Sequence, residues 1–231
     1  MSTGTYDESY YDQGRLDEDR IALWFYARVV RRLGPRGGRL LDFGCGTGHL
    51  LKRVSDDFET VGYDSSPYAR TRARINAREA VILEEWASLA SGSFDIIVSL
   101  HTLEHLRRPR EVVPRLVDLL RPQGTFLFVV PNTASLGRRL KRDDWFAYRD
   151  PTHHSLLSQG EWISLIRQCG LATLWVRGDG WWDAPYVSLL PLSLQRVLFG
   201  APAALQLVWP TRRPFLPPRM GECLIVAARR V

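Results

Sequence analysis

A glycine-rich turn preceded by a carboxylate is the strongest chemical signal in the sequence. Residues 42–48 read Asp-Phe-Gly-Cys-Gly-Thr-Gly and end an apolar run that predicts a strand over 39–44. Glycine allows left-handed backbone torsions and close approach to a ligand. Asp64 ends the next apolar run, where a carboxylate can accept both hydroxyls of an adenosine ribose. The pattern predicts an adenosine site, and a tight turn without a nucleotide is the alternative.

The spacing of the glycines indicates which nucleoside binds. A dinucleotide site typically reads GxGxxG and places a pyrophosphate at the N-terminus of a helix. Here glycine occupies positions 44, 46 and 48, and Asp42 stands two residues before the first of them. That carboxylate would repel a pyrophosphate, whereas it suits a ligand carrying an ammonium and a sulfonium. The turn therefore favours S-adenosylmethionine over NAD.

Three segments resemble the class I S-adenosylmethionine-dependent methyltransferases. LLDFGCGTGHLL at 40–51 is similar to their first motif, and VGYDSSP at 61–67 is similar to their second. Residues 91–132 resemble the region from the fourth to the fifth strand in the group that includes the ubiquinone-biosynthesis O-methyltransferases. The resemblance covers residues 37–177. It implies S-adenosyl-L-methionine as cofactor and methyl transfer to a small-molecule or lipid-linked acceptor.

The resemblance also implies which residues contact the cofactor. They are Asp42, Gly44, Cys45, Gly46, Gly48, Asp64, Ser65, Glu85, Trp86, Ser99 and Tyr11. Residues 42–48 would surround the methionine part, Asp64 would hold the ribose, and Glu85 would lie near the adenine amine. The segment around Glu85 departs from the family pattern, because it is shorter and lacks the usual Gly-Asp pair. Tyr10 and Tyr11 would close over the cofactor as a lid.

Three histidines are candidates for the catalytic side of the reaction. His101 follows the fourth predicted strand, where the family lines its methyl-transfer site, and His153 and His154 follow the fifth. Histidine has a pKa suited to a general base, which would remove the proton of an attacking hydroxyl. His153 is preferred over His154 by its motif position. We therefore predict O-methylation with histidine assistance and without a metal ion.

Structural explanations of the same residues stay open. Asp150, Thr152 and the neighbouring histidines could bond to one another and to the loop backbone, and His101 could be a buried, hydrogen-bonded histidine. Glu104 and His105 match the Leu-Glu-His-Leu signature of the family and are interpreted as the start of a helix. Aromatic residues at 145–148 suit an apolar acceptor.

Composition limits the partners. The net charge is +6, yet the basic residues are dispersed along the chain, and such charges are usually a solvated surface. Nucleic acid is therefore disfavoured, and the chain reads Ser-Leu-His-Thr where exocyclic-amine nucleic-acid enzymes carry Asn/Asp-Pro-Pro-aromatic. An RNA or protein methyltransferase stays the alternative function. Three dispersed cysteines and a polar, acidic N-terminus predict a cytoplasmic protein.

The elements that must position these residues alternate regularly. Apolar runs predict strands at 39–44, 60–64, 80–83, 94–100, 124–131, 171–177 and 222–230. Helical patterns at 16–33, after Gly48, after Ser66, at 109–120 and at 160–169 lie before and between them. The fold class is therefore α/β. The resemblance makes it a Rossmann-like, mostly parallel seven-stranded sheet with helices on both faces, the last strand antiparallel, and a helical insertion before that strand.

The domain organisation follows from the same pattern. Residues 1–36 are predicted to form a flexible arm and a helix, and residues 37–231 the cofactor-binding domain, with 179–221 as an inserted cap on the acceptor side. Residues 185–218 are apolar but interrupted by prolines. No uninterrupted apolar run within them reaches the ~20 residues that a transmembrane helix needs. A helical cap packed on its own domain is one interpretation. A wall for a hydrophobic acceptor, or membrane contact through 185–209, is the other.

Overall fold

A seven-stranded sheet forms the centre of the protein in a computed structural model that describes residues 6–13, 21–208 and 214–231. The strands are β1 (Arg39–Phe43), β2 (Glu59–Tyr63), β3 (Val81–Leu83), β4 (Phe94–Leu100), β5 (Leu120–Pro131), β6 (Leu171–Gly178) and β7 (Cys223–Arg230). The helices are α1 (Glu8–Gln13), α2 (Ile21–Leu33), α3 (His49–Val54), α4 (Pro67–Asn76), α5 (Pro109–Leu119), α6 (Leu136–Lys141), α7 (Phe146–Arg149), α8 (Gln159–Gln168) and α9 (Leu192–Val208). Short 3₁₀ turns cover Leu103–His105, Arg142–Asp144 and Pro218–Met220.

The strand order is β3-β2-β1-β4-β5-β7-β6. Strands β1 to β5 pair in parallel, while β7 lies antiparallel between β5 and β6. The predicted α/β fold class with an antiparallel last strand is therefore confirmed. The carboxyl ends of β1, β2 and β4 meet at one edge, which brings the glycine turn, Asp64 and His101 together.

Both faces of the sheet are covered, because neighbouring residues on a strand point to opposite faces. Leu40 and Ile96 belong to one buried cluster, which includes residues of α2 and α3. Leu41 and Ile97 belong to the other, which includes residues of α5 and α8. The continuous apolar run of β4 is thus explained by burial on both sides.

Local signals set several element boundaries. Helix α4 begins at Pro67 after Ser66, whose side chain accepts a hydrogen bond from the Ala69 amide at 3.2 Å. Helix α8 begins one residue earlier than expected, because Ser158 and Glu161 form a capping box.

The arm and the fifth strand differ from the sequence-based expectation. Residues 8–13 of the predicted flexible arm form helix α1, in which Tyr11 is buried. The predicted helix over 16–33 is observed from Ile21, and 16–20 lie outside the described residues. Strand β5 begins four residues early, at Leu120, and passes through Gln123 at a positive φ of 65°.

The predicted helical insertion between the last two strands is observed as α9. Two glutamines anchor it from its inner side: Gln195 bonds to the backbone of Tyr186 and Val187, and Gln206 to that of Gly178 and Leu216. Within the parts of the chain that the structure describes, no helix has the length and apolar character needed to cross a membrane.

Candidate functional site

The three glycines of the turn after β1 are required by backbone conformation and by space. Gly44, Gly46 and Gly48 have φ values of 83°, 51° and 84°. A Cβ on Gly44 would overlap the Thr102 side chain, and one on Gly48 would lie 2.9 Å from the Ala73 Cα. A Cβ on Gly46 would meet only the Tyr11 ring, at 3.9 Å, and Gly46 belongs to the lining of the cavity described below.

Asp64 fixes this turn and faces the same space. One carboxylate oxygen accepts the Gly46 amide at 2.9 Å and the other accepts the Ser66 amide at 2.9 Å. Burial raises the pKa of Asp64, while these bonds and the Tyr11 hydroxyl oppose the rise. The Tyr11 hydroxyl therefore contacts the same Asp64 carboxylate that the sequence predicts as the acceptor for the ribose hydroxyls.

Asp42 lies buried in β1, one residue before the strand ends. Burial, with a further contribution from the nearby Asp64 carboxylate, raises its pKa to about 8. A cation bound beside Asp42 would favour its ionised form, so this position suits a positively charged ligand better than an anion.

The turn, Asp64 and the arm surround one cavity of about 280 Å³. Ten of the residues predicted from the sequence line it: Tyr10, Tyr11, Asp42, Gly44, Cys45, Gly46, Asp64, Ser65, Trp86 and His101. The Trp86 ring packs edge-on against Phe43 at 5.0 Å and lies 6.3 Å from the ring of Tyr63. These rings form an aromatic wall of the kind that accommodates a flat base.

Three predicted cofactor residues lie outside this lining. Gly48 packs against Ala73, and the side chain of Glu85 is exposed to solvent. Ser99 is completely buried, and its hydroxyl donates to the Phe43 carbonyl at 3.0 Å, which ties β4 to the end of β1. Ser99 and Gly48 thus position the turn, while Glu85 is absent from the cavity lining.

The structure places His153 and His154 outside the cavity lining as well. The His153 side chain is 7% exposed, and its Nδ1–H donates to the Ala147 carbonyl at 2.8 Å. His154 is exposed, and its backbone amide donates to the Glu104 carbonyl at 2.9 Å. His153 thus bonds to the backbone of its own loop, whereas His154 is tied through its amide to the 3₁₀ turn that contains Glu104.

His105 lies in the cavity wall instead, and a hydrogen-bonded chain orients it. Its Nδ1 is 2.8 Å from the Thr152 hydroxyl, which donates to Asp150 at 2.6 Å. Because the hydroxyl proton is used by Asp150, Nδ1 must carry the imidazole proton, and Nε2 is left to accept one. Burial lowers the pKa of His105, which keeps the ring neutral near physiological pH.

From the sequence, Leu-Glu-His-Leu indicates mainly a helix start, whereas the structure places His105 in the cavity wall. The His153 ring packs against His105 at 4.7 Å, and the Tyr6 ring does so edge-on at 5.8 Å. His101 also lines the cavity, with Nδ1 3.7 Å from a Glu104 carboxylate oxygen and a backbone φ of 52°.

A candidate cation site shares His105 with this wall. Glu104, His105 and His153 each offer a ligand atom, and these atoms lie within 4.8 Å of one another. Both carboxylate oxygens of Glu104 are buried without a hydrogen-bond partner among the described residues. Two imidazoles and a carboxylate form a ligand set that divalent transition metals accept.

Comparison with known proteins agrees with the fold and with the methyltransferase resemblance. A family model described as "Methyltransferase domain" matches residues 16–175. The ubiquinone biosynthesis O-methyltransferase of Xanthomonas axonopodis pv. citri (strain 306) is 28% identical over 158 residues, 62% of this chain and 66% of that protein. The malonyl-(acyl-carrier protein) O-methyltransferase of Paenibacillus sp. (strain JDR-2) is 28% identical over 160 residues, which are 61% of this chain and 58% of that protein. The chain spans less than two thirds of the length of these relatives.

Solved structures show the same fold. The methyltransferase bound to the Trm112 activator of Haloferax volcanii superposes with a TM-score of 0.70 at 17% identity, over 98% of this chain and 99% of that one. An S-adenosylmethionine-dependent methyltransferase from Archaeoglobus fulgidus superposes with a TM-score of 0.64 at 18% identity, over 97% of this chain and 100% of that one.

The sheet order, the glycine turn and the paired carboxylates define a class I S-adenosylmethionine-dependent methyltransferase fold and site. The chain belongs to the methyltransferase domain family. S-adenosylmethionine is the cofactor that this family implies, and the residues present fit it. Asp64 would hold the ribose, the wall around Trp86 the base, and Asp42 the cationic methionine part.

Proposed function

We propose that the protein transfers the methyl group of S-adenosylmethionine to an oxygen of a small-molecule or lipid-like acceptor. The observation that carries this proposal is the chain from Asp150 through Thr152 to His105, which ends in the wall of the same cavity as Asp42. The relatives named above are both O-methyltransferases by name, which supports oxygen as the attacking atom. Because the chain spans only part of their length, its acceptor is inferred from its own residues.

The residues divide the chemical work between orientation and proton removal. When bound, S-adenosylmethionine supplies a methyl group that is already activated by its sulfonium. The backbone of the glycine turn and Asp64 would fix the adenosyl part, so that the acceptor oxygen meets the methyl carbon in line. Such positioning contributes about 7–11 kcal/mol in the best intramolecular models. His105 Nε2 would take the hydroxyl proton as the new oxygen–carbon bond forms.

The histidine roles are thereby reassigned in the proposal. His105 replaces His153 and His154 as the general base, because only a residue in the cavity wall can contact the acceptor. His153 would position His105 through their ring contact, and His101 is the second candidate base.

Residues 179–221 stay proposed as a cap on the acceptor side. None of the described residues in this range lines the cavity, but α9 packs against α2, whose Ala22, Leu23 and Tyr26 do. Tyr11 in the arm is proposed as part of a lid over the cofactor, since its hydroxyl reaches Asp64.

Calorimetry with S-adenosylhomocysteine and with NADH tests the cofactor half of the proposal. We expect heat of binding with S-adenosylhomocysteine and none with NADH, because the glycines at 44, 46 and 48 do not have the GxGxxG spacing of a dinucleotide turn. Radiolabelled methyl transfer to a lipid extract and to a water-soluble extract would then identify the acceptor class. Label incorporated only into RNA, together with a salt-dependent gel shift, would favour the alternative nucleic-acid function.

Removal of metal ions distinguishes the two roles open to His105. If His105 is a base, the protein treated with a chelator is expected to keep its turnover, because the sulfonium needs no Lewis acid. The rate would be compared before and after dialysis against EDTA, with the untreated protein carried through the same steps. A loss of turnover that Mg²⁺, Mn²⁺ or Zn²⁺ restores would contradict the metal-free prediction and assign Glu104, His105 and His153 as ligands.

A further inference from the structure

Helix α9 has an inverted distribution of polar and apolar side chains. Its buried polar residues are Gln195 and Gln206, which face inward and bond to backbone groups. Its exposed apolar residues include Leu194, Val197, Leu198, Ala201, Leu205 and Val208, while Ser193 and Arg196 are the exposed polar ones. Because helical neighbours three or four positions apart share a face, these six apolar residues form one stripe, named here the α9 stripe.

The α9 stripe is too exposed to be part of the core. Val197 is 66% exposed and Val208 is 73% exposed, while Leu189, just before the helix, is 94% exposed. The helix has 17 residues and is therefore about 25 Å long. A continuous apolar stripe of this length on a protein surface indicates contact with a partner or a membrane.

The inner side of the helix holds this orientation in place. Phe199 packs against the rings of Trp181 and Tyr186 at 5.2 and 5.1 Å. Gln195 makes bonds of 2.6–3.1 Å to the loop before the helix. Rotating the leucines inward would break these bonds, so the stripe faces solvent as a consequence of the packing.

Charge identifies the partner. The segment from 184 to 221 contains four arginines, at positions 196, 212, 213 and 219, and no aspartate or glutamate. Arg196 and Arg219 are exposed, and positions 212 and 213 are outside the described residues. Two copies of this surface would bring arginine against arginine, whereas an anionic lipid surface would attract them.

We propose that the α9 stripe is a peripheral membrane-docking surface, which inserts its leucines and valines into the interface of an anionic bilayer while the exposed Arg196 and Arg219 contact lipid phosphates. The helix would lie along the membrane, because the α9 stripe runs along the length of its exposed side. Because α9 packs on α2, which lines the cavity, docking would bring the cavity close to acceptors dissolved in the membrane. The inference concerns binding alone and does not depend on the proposed methyl transfer.

Vesicle sedimentation with the full chain tests the proposal. The probes are vesicles of phosphatidylcholine alone and vesicles that contain about 25% phosphatidylglycerol. We expect the protein to sediment with the anionic vesicles and much less with the neutral ones. Raising NaCl from about 0.1 M to about 0.5 M should weaken the binding, because the arginine contribution is screened.

Matched variants distinguish binding through the α9 stripe from nonspecific binding through other exposed apolar residues. The triple variant Leu194→Ser, Val197→Ser, Leu198→Ser should lower the partition coefficient at least about tenfold. Ile75→Ser combined with Val81→Ser removes apolar side chains that are 53% and 60% exposed near the β3 edge, and it should bind vesicles as the unaltered chain does. Circular dichroism melting checks that each variant folds, and Leu189→Ser, outside the helix, gives a graded loss without touching α9.

Three results would overturn the docking surface. The first is no sedimentation of the unaltered chain with anionic vesicles, and the second is equal binding by the triple variant. The third is self-association in sedimentation velocity that the triple variant abolishes, without any vesicle binding, which would make the stripe an interface between two copies of the chain.

Discussion

Replacing His105 with alanine is expected to reduce turnover by about 10²–10⁴-fold, the usual contribution of a general base. His105 lines the cavity, and its Nε2 is the ring nitrogen that the Thr152 contact leaves free to accept a proton. Initial rates of radiolabelled methyl transfer at saturating cofactor would measure the effect. Cofactor affinity should change little, because Asp42 and Asp64 are retained.

Two further variants make this expectation specific. His154→Ala is the matched control, since that side chain is exposed and lies outside the cavity lining, and it should keep full turnover. Thr152→Val removes the hydroxyl that receives the Nδ1 proton, so it should lower turnover less than His105→Ala does and change its pH profile. If His105→Ala and His154→Ala have equal rates, His105 is not the base.

The parts of the site that depend on local chain geometry could be predicted from the sequence. The turn at Gly44 needs a positive φ, which favours glycine. The need arises from the turn itself and from the strand before it, so it is visible in the local sequence. Asp64 could be predicted because consecutive parallel strands end at the same edge of a sheet. The strands could be predicted because an apolar run is a property of a short segment and needs no knowledge of distant contacts.

The parts that depend on distant contacts could not be predicted. His105 is oriented by Thr152, which is 47 residues away along the chain, and no local pattern records that pairing. For the same reason the motif position of His153 predicted a place beside the acceptor, while the structure turns its Nδ1 to Ala147. The outward leucines of α9 are a similar case, because their exposure follows from the inward bonds of Gln195 and Gln206.

Replacing Asp42 with asparagine is expected to weaken S-adenosylmethionine binding at least about 100-fold. Removing one partner from a buried pair of opposite charges costs about 3–5 kcal/mol. Asparagine keeps the size and one hydrogen-bonding oxygen of the side chain, so the loss reports charge rather than a cavity. Isothermal titration calorimetry would measure the dissociation constant, and Glu85→Gln, at an exposed position outside the cavity lining, is the matched control.

The pH dependence of binding gives Asp42 a second, independent signature. In the free protein its pKa is raised to about 8, so the carboxyl is mostly protonated near neutral pH. A bound cation favours the carboxylate, and binding must therefore release a proton. Affinity should rise from about pH 6 to about pH 7.5, by at most tenfold per pH unit, before the ligand's own amine begins to lose its proton.

The Asp42→Asn variant should lack this rise, because it has no proton to release at that position. Proton release can be counted by repeating the calorimetry in buffers of different ionisation enthalpy. The same pH profile in both proteins would mean that Asp42 is already ionised or does not face the ligand. Since the carboxylate is what distinguishes a sulfonium site from a pyrophosphate site in this turn, that result would also remove the chemical reason for choosing this cofactor over NAD.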